Sequence, residues 1–137
     1  MKKFLLILAM CAGLATVRAQ AQEQKTPEQR EKEFYEAIEA QVDRLAEQLE
    51  LDDAQIFYVD SILTHDYKAM QDEFTKMSAA KMSNTDLFYD VQDKWMEQIY
   101  QSFSKIFDED QWTKYQKMGA ARDKKARDKR AARKLKK

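Results

Sequence analysis

Helix-breaking residues are scarce in this chain of 137 residues, and this scarcity constrains the fold more than any other feature. The sequence contains one proline, Pro27, and two glycines, Gly13 and Gly119. In a helix interior, Pro costs about 3 kcal/mol and Gly about 1 kcal/mol relative to Ala. The rest of the chain is polar and rich in Ala, Glu, Gln, Lys and Met, which are good helix formers. We therefore predict an all-α protein.

The chain begins with a segment unlike the rest. Two lysines precede an apolar run over residues 4–17, and small residues follow at Ala19 and Ala21. This order predicts a secretory signal peptide over residues 1–19, cleaved after Ala19 or after Ala21, and hence a periplasmic protein. The apolar run is too short to span a bilayer comfortably, which argues against a retained membrane anchor.

The only cysteine, Cys11, lies within this predicted signal peptide. The three residues before it, Leu8, Ala9 and Met10, resemble a bacterial lipobox, so a lipoprotein is an alternative. Met10 argues against it, because a small residue is expected at that position. Removal of the signal peptide leaves no thiol, so we expect no disulfide, and the stability of the mature chain must come from packing.

Charge is divided unevenly along the chain. Residues 20–120 contain 11 Lys and Arg against 22 Asp and Glu, whereas residues 121–137 contain 10 against 2. An acidic body is therefore followed by a basic segment. We divide the mature chain into a helical domain over residues 20–119 and a basic tail over residues 120–137.

The basic tail has one large apolar residue, Leu135, so the sequence offers it little to bury. Its alanines and the i,i+4 pair of Asp123 and Arg127 permit a solvated helix, its charge permits disorder, and we favour a frayed helix. We expect it either to stay solvated or to contact anionic envelope components, and not nucleic acid, because it lacks aromatic residues for stacking. The cations predicted to act are Arg122, Lys124, Lys125, Arg127, Lys129, Arg130, Arg133 and Lys134.

Capping signals and apolar spacing predict the helices of the body. The stretch TPEQ at 26–29 offers a capping box with Pro at the first helical position, so a first helix should run from about 27 to 50. A second should run from about 53 to 81, and a third, capped by Asn84 or Thr85, should end near residue 107. Apolar residues at spacings of three and four give each of the first two helices one buried face.

Two stretches share a pattern that ends one helix and begins the next: LELDDAQI at 49–56 and FDEDQW at 107–112. In each, an Asp is placed as N-cap, and a Gln three residues later can return a hydrogen bond to its backbone amide. An apolar residue before the Asp can join a hydrophobic staple. A cap contributes only about 1 kcal/mol, so its main effect is to fix where the chain turns. The predicted motif residues are Leu51, Asp52, Gln55, Phe107, Asp108 and Gln111.

The predicted third helix carries two apolar stripes, whereas one neighbouring helix covers one. The first stripe consists of Leu87, Phe88, Val91, Trp95, Ile99 and Ile106, and the second of Tyr89, Met96, Tyr100, Phe103 and Phe107. Either this helix is central in a small bundle, or its second stripe contacts another subunit or a client protein.

The two motifs resemble the LTxxQ motifs of the Spy/CpxP family of periplasmic proteins. The first copy reads LELDDAQ at 49–55 and the second reads IFDEDQ at 106–111. Both carry Asp in place of Thr, and the second has Phe107 in place of Leu; Asp caps a helix at least as well as Thr. The likeness covers residues 42–118 and includes the QWTKYQKM stretch that begins with the second motif's Gln.

The resemblance implies a four-helix, elongated, hairpin-type protomer that pairs antiparallel into a curved homodimer. It also implies an ATP-independent chaperone, or holdase, that binds unfolded or misfolded envelope proteins. The alternative is a CpxP-like regulatory or interaction protein that binds one envelope sensor protein. The motif residues carry over as structural caps. The residues that we predict to contact a client or a dimer partner are Met82, Phe88, Tyr89, Met96, Tyr100 and Phe103.

Catalytic chemistry finds little support in the sequence. The only histidine, His65, is predicted on the solvent side of the second helix. The chain has no nucleophile motif, no phosphate-binding glycine loop and no metal-ligand spacing. Metal-binding members of the family use His-rich segments, which this chain lacks. We therefore predict a protein that is not an enzyme and that has no cofactor or metal.

Overall fold

The computed structural model describes residues 24–136, and the predicted signal peptide and the alternative lipoprotein site at Cys11 lie outside them. Residues 24–136 form helices and no strand, which confirms the all-α prediction. The elements are α1 Pro27–Leu49, α2 Asp53–Ala79, α3 Thr85–Ile106, α4 Glu109–Tyr115 and α5 Ala121–Lys134, with a π-helical turn over Gln116–Ala120 before α5.

Side-chain caps set the start of each body helix. Thr26, Asp52 and Asp108 form capping boxes at the starts of α1, α2 and α4. In each box the cap side chain accepts the backbone N–H of a Gln three residues later, and that Gln returns a hydrogen bond to the cap's N–H. Asn84 caps α3 by accepting the N–H of Asp86 at 2.9 Å. The predicted starts are therefore confirmed, and the predicted ends of α1 to α3 lie within two residues of the observed ones.

The core lies at one end of the bundle, which we call the motif end. Short connections make consecutive helices antiparallel, so the C-terminal part of α1, the N-terminal part of α2 and the C-terminal part of α3 come together there. Within the described chain, buried residues occur in α1 only from Ile38 onward, in α2 only up to Asp66 and in α3 only from Ile99 onward. The buried apolar residues are Ile38, Val42, Leu45, Leu49, Val59, Leu63, Ile99, Phe103 and Phe107.

At the opposite end, which we call the open end, the same helices leave apolar side chains half-buried. The polar connection between α2 and α3 lies here, and α5 packs against α3 alone at this end, through residues such as Asp90 and Asp93. The half-buried apolar residues are Phe34, Tyr67, Met70, Phe74, Met77, Leu87, Phe88, Val91 and Trp95. The chain's own helices therefore cover this end only in part.

The basic tail is helical, as favoured, but it is not solvated on all sides. α5 lies against α3, where Arg127 pairs with Glu97 and Arg130 pairs with Asp93. Arg127 is only 8% exposed. The sequence prediction considered only apolar residues as a reason for the tail to pack. In the structure, carboxylates and aromatic rings of α3 hold this helix in place.

Gly119 lets the chain turn from α4 onto α3. Its φ of 119° lies in the region that L side chains rarely adopt. The π-helical turn around it interrupts the regular hydrogen bonding between α4 and α5. The α-helical structure is interrupted over Gln116–Ala120 and resumes immediately afterwards as α5.

Candidate functional site

The two motifs meet at the motif end through their glutamines. Gln55 Nε2 donates to Gln111 Oε1 at 2.7 Å, and Gln111 Nε2 donates to Gln55 Oε1 at 3.0 Å. Gln55 Nε2 also donates to the backbone oxygen of Ile106 at 2.9 Å. Each amide oxygen at the same time accepts the backbone N–H of its own cap residue, Asp52 or Asp108. We call this reciprocal pair the amide clasp.

The amide clasp gives the motifs a role beyond capping. It ties the α1–α2 connection to the α3–α4 connection across 56 residues of sequence. Leu51 is half-buried and Phe107 is buried, and both pack in the core beneath it. The capping role was predicted, but the pairing of the two motifs was not. The feature that could have predicted this pairing is the Gln three residues after the Asp in both motifs. A side-chain amide carries a donor and an acceptor, so two such amides can pair with each other.

α3 is central, and each of its stripes has a partner within the chain. On the first stripe, Phe88 stacks on Phe74 of α2, with ring centroids 5.7 Å apart. On the second stripe, Tyr100 packs edge to face on Trp112 of α4, with centroids 5.0 Å apart. The helix pair α4–α5 therefore covers much of the surface that the sequence left open to another subunit or a client, which favours the central-helix explanation.

The six residues predicted to contact a client or dimer partner are placed differently from one another. Phe103 is 0% exposed and packs against Phe107 and Tyr115 in the core. Its prediction as a contact residue is wrong, because α4 folds over this part of the second stripe. The burial of Tyr115 in the same cluster raises the pKa of its hydroxyl to about 12. Met82 and Tyr89 are exposed, and Phe88, Met96 and Tyr100 are half-buried.

Carboxylates of α3 and cations of α5 form a ladder between the two helices. Arg130 makes a bidentate contact, with its Nε 2.7 Å and its Nη2 2.6 Å from the two oxygens of Asp93. Two of the cations also lie over aromatic rings, Arg127 at 5.5 Å from the centroid of Tyr100 and Arg130 at 5.6 Å from that of Tyr89. The ion pairs are Lys124–Glu97, Arg127–Glu97, Arg130–Asp93 and Lys134–Asp90.

These contacts keep both partners of the ladder charged. Burial by itself would raise the pKa of Glu97, but hydrogen bonds, led by those from Gln101 and Arg127, outweigh it and lower that pKa below its ordinary value. The hydrogen bonds to Asp93 raise the pKa of Arg130 above its ordinary value. Glu97 and Arg130 are therefore ionised around neutral pH.

The eight predicted tail cations fall into two groups of four. Those that face α3 are Lys124, Arg127, Arg130 and Lys134. Those that are exposed and make no ion pair with α3 are Arg122, Lys125, Lys129 and Arg133. Only this second group can bind an anionic envelope component without giving up an ion pair with α3.

An apolar groove opens between α1 and α2 at the open end, with a volume of about 380 Å³. Its apolar wall is made by Phe34, Ala37, Ile38, Tyr67, Met70 and Phe74. Gln41 and Gln71 add one amide from each helix, and Tyr67 donates a hydrogen bond to Gln41 Oε1 at 3.2 Å. The sequence predicted one buried face on each of α1 and α2 but not this groove, because apolar spacing identifies the inward face of a helix and not how far neighbouring helices cover it.

His65 and Asp66 of α2 form a small polar cluster with Gln98 of α3. His65 is exposed, as predicted, and its Nδ1 lies 2.7 Å from Asp66 Oδ1. Asp66 is buried and also accepts from Gln98 Nε2 at 2.9 Å. Within residues 24–136, no group of three or more His, Cys, Asp or Glu is placed to hold a metal ion. None of the helices described has the length and apolar character of a membrane span.

Comparison with models of protein families, with curated proteins and with solved structures finds no match to this chain. Membership of the Spy/CpxP family therefore stays a prediction that rests on the motif residues. The features available for assigning a function are the amide clasp, the ladder between α3 and α5, and the apolar groove between α1 and α2.

Proposed function

We propose that this protein is a periplasmic, ATP-independent holdase that binds unfolded or misfolded envelope proteins, and that it is not an enzyme. The observation that carries this proposal is the apolar groove between α1 and α2. Apolar surface that a folded chain leaves uncovered is typical of sites that bind other proteins.

The groove fits a segment of unfolded polypeptide. Such a segment presents apolar side chains together with backbone N–H and C=O groups that lack partners. Phe34 and Phe74 offer broad apolar contact, and the flexible thioether of Met70 can adapt to different side chains. Gln41 and Gln71 each carry a donor and an acceptor for a bound backbone. Binding of this kind needs no nucleotide and no covalent step.

A holdase must expose apolar surface without losing its own fold. Here the amide clasp and most of the buried core lie at the motif end, whereas the groove begins at Ile38, at the edge of that core, and extends to the open end. Stability and client binding are thereby assigned to different parts of the molecule.

The resemblance of the two motifs to those of the Spy/CpxP family supports the same proposal, and we extend it to a curved antiparallel homodimer. A second copy would add cover to half-buried side chains of the open end that do not line the groove, such as Leu87, Val91 and Trp95. Light scattering during size-exclusion chromatography should give twice the mass of the mature chain, at low and at high salt, because this contact is apolar. A monomeric mass at all concentrations would contradict the dimer while leaving the holdase open to test.

The experiment that tests the holdase measures aggregation of two unrelated unfolding client proteins in the absence of ATP. The mature chain should suppress the aggregation of both. A groove variant, Phe34→Gln with Met70→Gln, should lose most of this protection. The matched control is Phe57→Gln with Tyr58→Gln, which removes two exposed aromatic residues, 66% and 53% exposed, that do not line the groove.

The outcomes separate the two functional classes. Protection of both clients, lost in the groove variant and kept in the control, supports a general holdase. Equal loss in both variants would place client binding outside the groove. If neither client is protected at several-fold molar excess, the chaperone proposal fails and a regulatory protein with one envelope sensor as its partner becomes the better hypothesis.

A further inference from the structure

The ladder between α3 and α5 has the regularity of a recognition site. Cations of α5 at positions 124, 127, 130 and 134 meet carboxylates of α3 at positions 97, 93 and 90. Spacings of three and four place successive side chains on one helix face. The α3 face therefore selects a helix whose cations are spaced in this way and that runs antiparallel to α3.

The same face is built for arginine in particular. Asp93 takes the guanidinium of Arg130 with both oxygens, a geometry that a lysine ammonium cannot reproduce. The rings of Tyr100 and Tyr89 lie within 6 Å of the Arg127 and Arg130 guanidinium carbons. Guanidinium stacks on aromatic rings more readily than ammonium does. We call the surface formed by Tyr89, Asp93, Met96, Glu97 and Tyr100 the acidic-aromatic face.

The tail fills this face imperfectly. Arg127 Nη2 is buried and has no hydrogen-bond partner among the described residues. A buried donor without a partner destabilises the contact, and does so more strongly when the group is charged. The tail adds no large apolar side chain to the contact, so its hold on α3 is mainly electrostatic and weakens with salt. These properties are those of an occupant that another segment can displace.

We propose that the acidic-aromatic face binds arginine-rich helical segments of other proteins, and that the chain's own tail is a built-in competitor for it. This site is separate from the groove between α1 and α2, so the proposal does not depend on holdase activity. Because the tail occupies the face in most molecules, the apparent affinity for an outside segment is reduced to the fraction of molecules in which the tail is released. Gly119 provides the turn at which the tail can swing away.

The test uses the full mature chain and a fluorescent, alanine-based helical peptide whose arginines repeat the spacing of positions 124, 127, 130 and 134. The released-tail variant is Arg127→Glu with Arg130→Glu, whose new carboxylates face Asp93 and Glu97. A second variant, Arg127→Gln with Arg130→Gln, releases the tail without adding charge. Circular dichroism establishes that each variant is folded, and fluorescence anisotropy at low salt measures binding of the peptide.

Both released-tail variants should bind the peptide at least about tenfold more tightly than the wild-type chain, as expected if the tail occupies the face at least about nine-tenths of the time. Adding Asp93→Asn and Glu97→Gln to either variant should abolish the gain. A peptide of the same composition with its arginines at other spacings, and one with lysine in their place, should both bind more weakly.

Two results would overturn the proposal. One is a folded released-tail variant that binds the peptide no more tightly than wild type, or whose binding is insensitive to Asp93→Asn and Glu97→Gln. The other is a wild-type dimer, seen by light scattering, that dissociates at high salt and is lost in Arg127→Glu with Arg130→Glu. That dimer would identify the tail of a second copy as the occupant.

Discussion

Disruption of the amide clasp offers the sharpest test of how the motifs act. Gln111→Met keeps side-chain length and helix propensity but removes the amide. The lost contacts are the hydrogen bond from the N–H of Asp108 at 3.0 Å and the two shared with Gln55 at 2.7 and 3.0 Å. At about 0.5–1.5 kcal/mol for each of these three hydrogen bonds, the free energy of unfolding should fall by about 1.5–4.5 kcal/mol. Urea denaturation followed by circular dichroism measures this loss.

A double-mutant cycle isolates the clasp from the caps. Gln55→Met alone should also destabilise, but the double variant should lose less than the two single losses combined, because its two thioethers can pack where two amides were paired. The two shared hydrogen bonds predict a coupling free energy of about 1–3 kcal/mol. Gln29→Met is the matched control. Gln29 Oε1 accepts the backbone N–H of the N-cap Thr26 at 2.8 Å, as Gln55 and Gln111 do for their caps, but Gln29 is exposed and does not pair with a second glutamine. It should cost less than about 1 kcal/mol. A coupling below about 0.5 kcal/mol would show that the two motifs act independently.

Three further predictions concern single positions. Gly119→Ala should lower the free energy of unfolding, measured by urea denaturation, by about 1–2 kcal/mol, because residue 119 has a φ of 119°. Lys117→Ala in the same turn should change that free energy little. Equal losses in the two variants would refute the role of backbone strain. Because hydrogen bonds lower the pKa of Glu97, the stabilisation that it gives the tail is complete above its ordinary pKa of 4.5 and is lost as pH falls through the lowered folded-state value. Energy transfer between dyes on α3 and α5 should report this release, and Glu97→Gln should remove its pH dependence. Burial raises the pKa of Tyr115 to about 12, so stability should fall as pH rises from 10.0 towards 12; Tyr115→Phe should reduce that fall, and an ultraviolet titration showing only ordinary tyrosines would contradict it.

The side-chain caps of the helices were predictable from the sequence, because each cap depends on neighbouring residues alone. A capping box is made by residues three apart, so Thr26, Asp52 and Asp108 could be assigned without any tertiary information. Apolar spacing likewise predicted the inward faces of α1 and α2. The helix starts depend on contacts within one turn, and tertiary packing agrees with them.

Contacts between distant segments were not predictable in the same way. The pairing of Gln55 with Gln111 depends on two connections meeting at one end of the bundle, which no local pattern specifies. Phe103 and Tyr89 lie on one predicted stripe, yet Phe103 is buried and Tyr89 is exposed, because α4 covers only one end of α3. The tail was misjudged because its partners are carboxylates rather than apolar residues. A helical stripe identifies a face but does not say which neighbour covers it, or how far.

The location of the amide clasp supports the proposed separation of stability from client binding. At the motif end, every large apolar group of the core is buried and the two glutamines satisfy each other, so a change there is costly. At the open end, side chains such as Phe34 and Phe74 are only partly buried, so their loss removes less buried area. Local opening should therefore be easier at the open end than at the motif end. The groove therefore extends into the end where rearrangement costs the least free energy. The proposed binding of varied clients requires this arrangement.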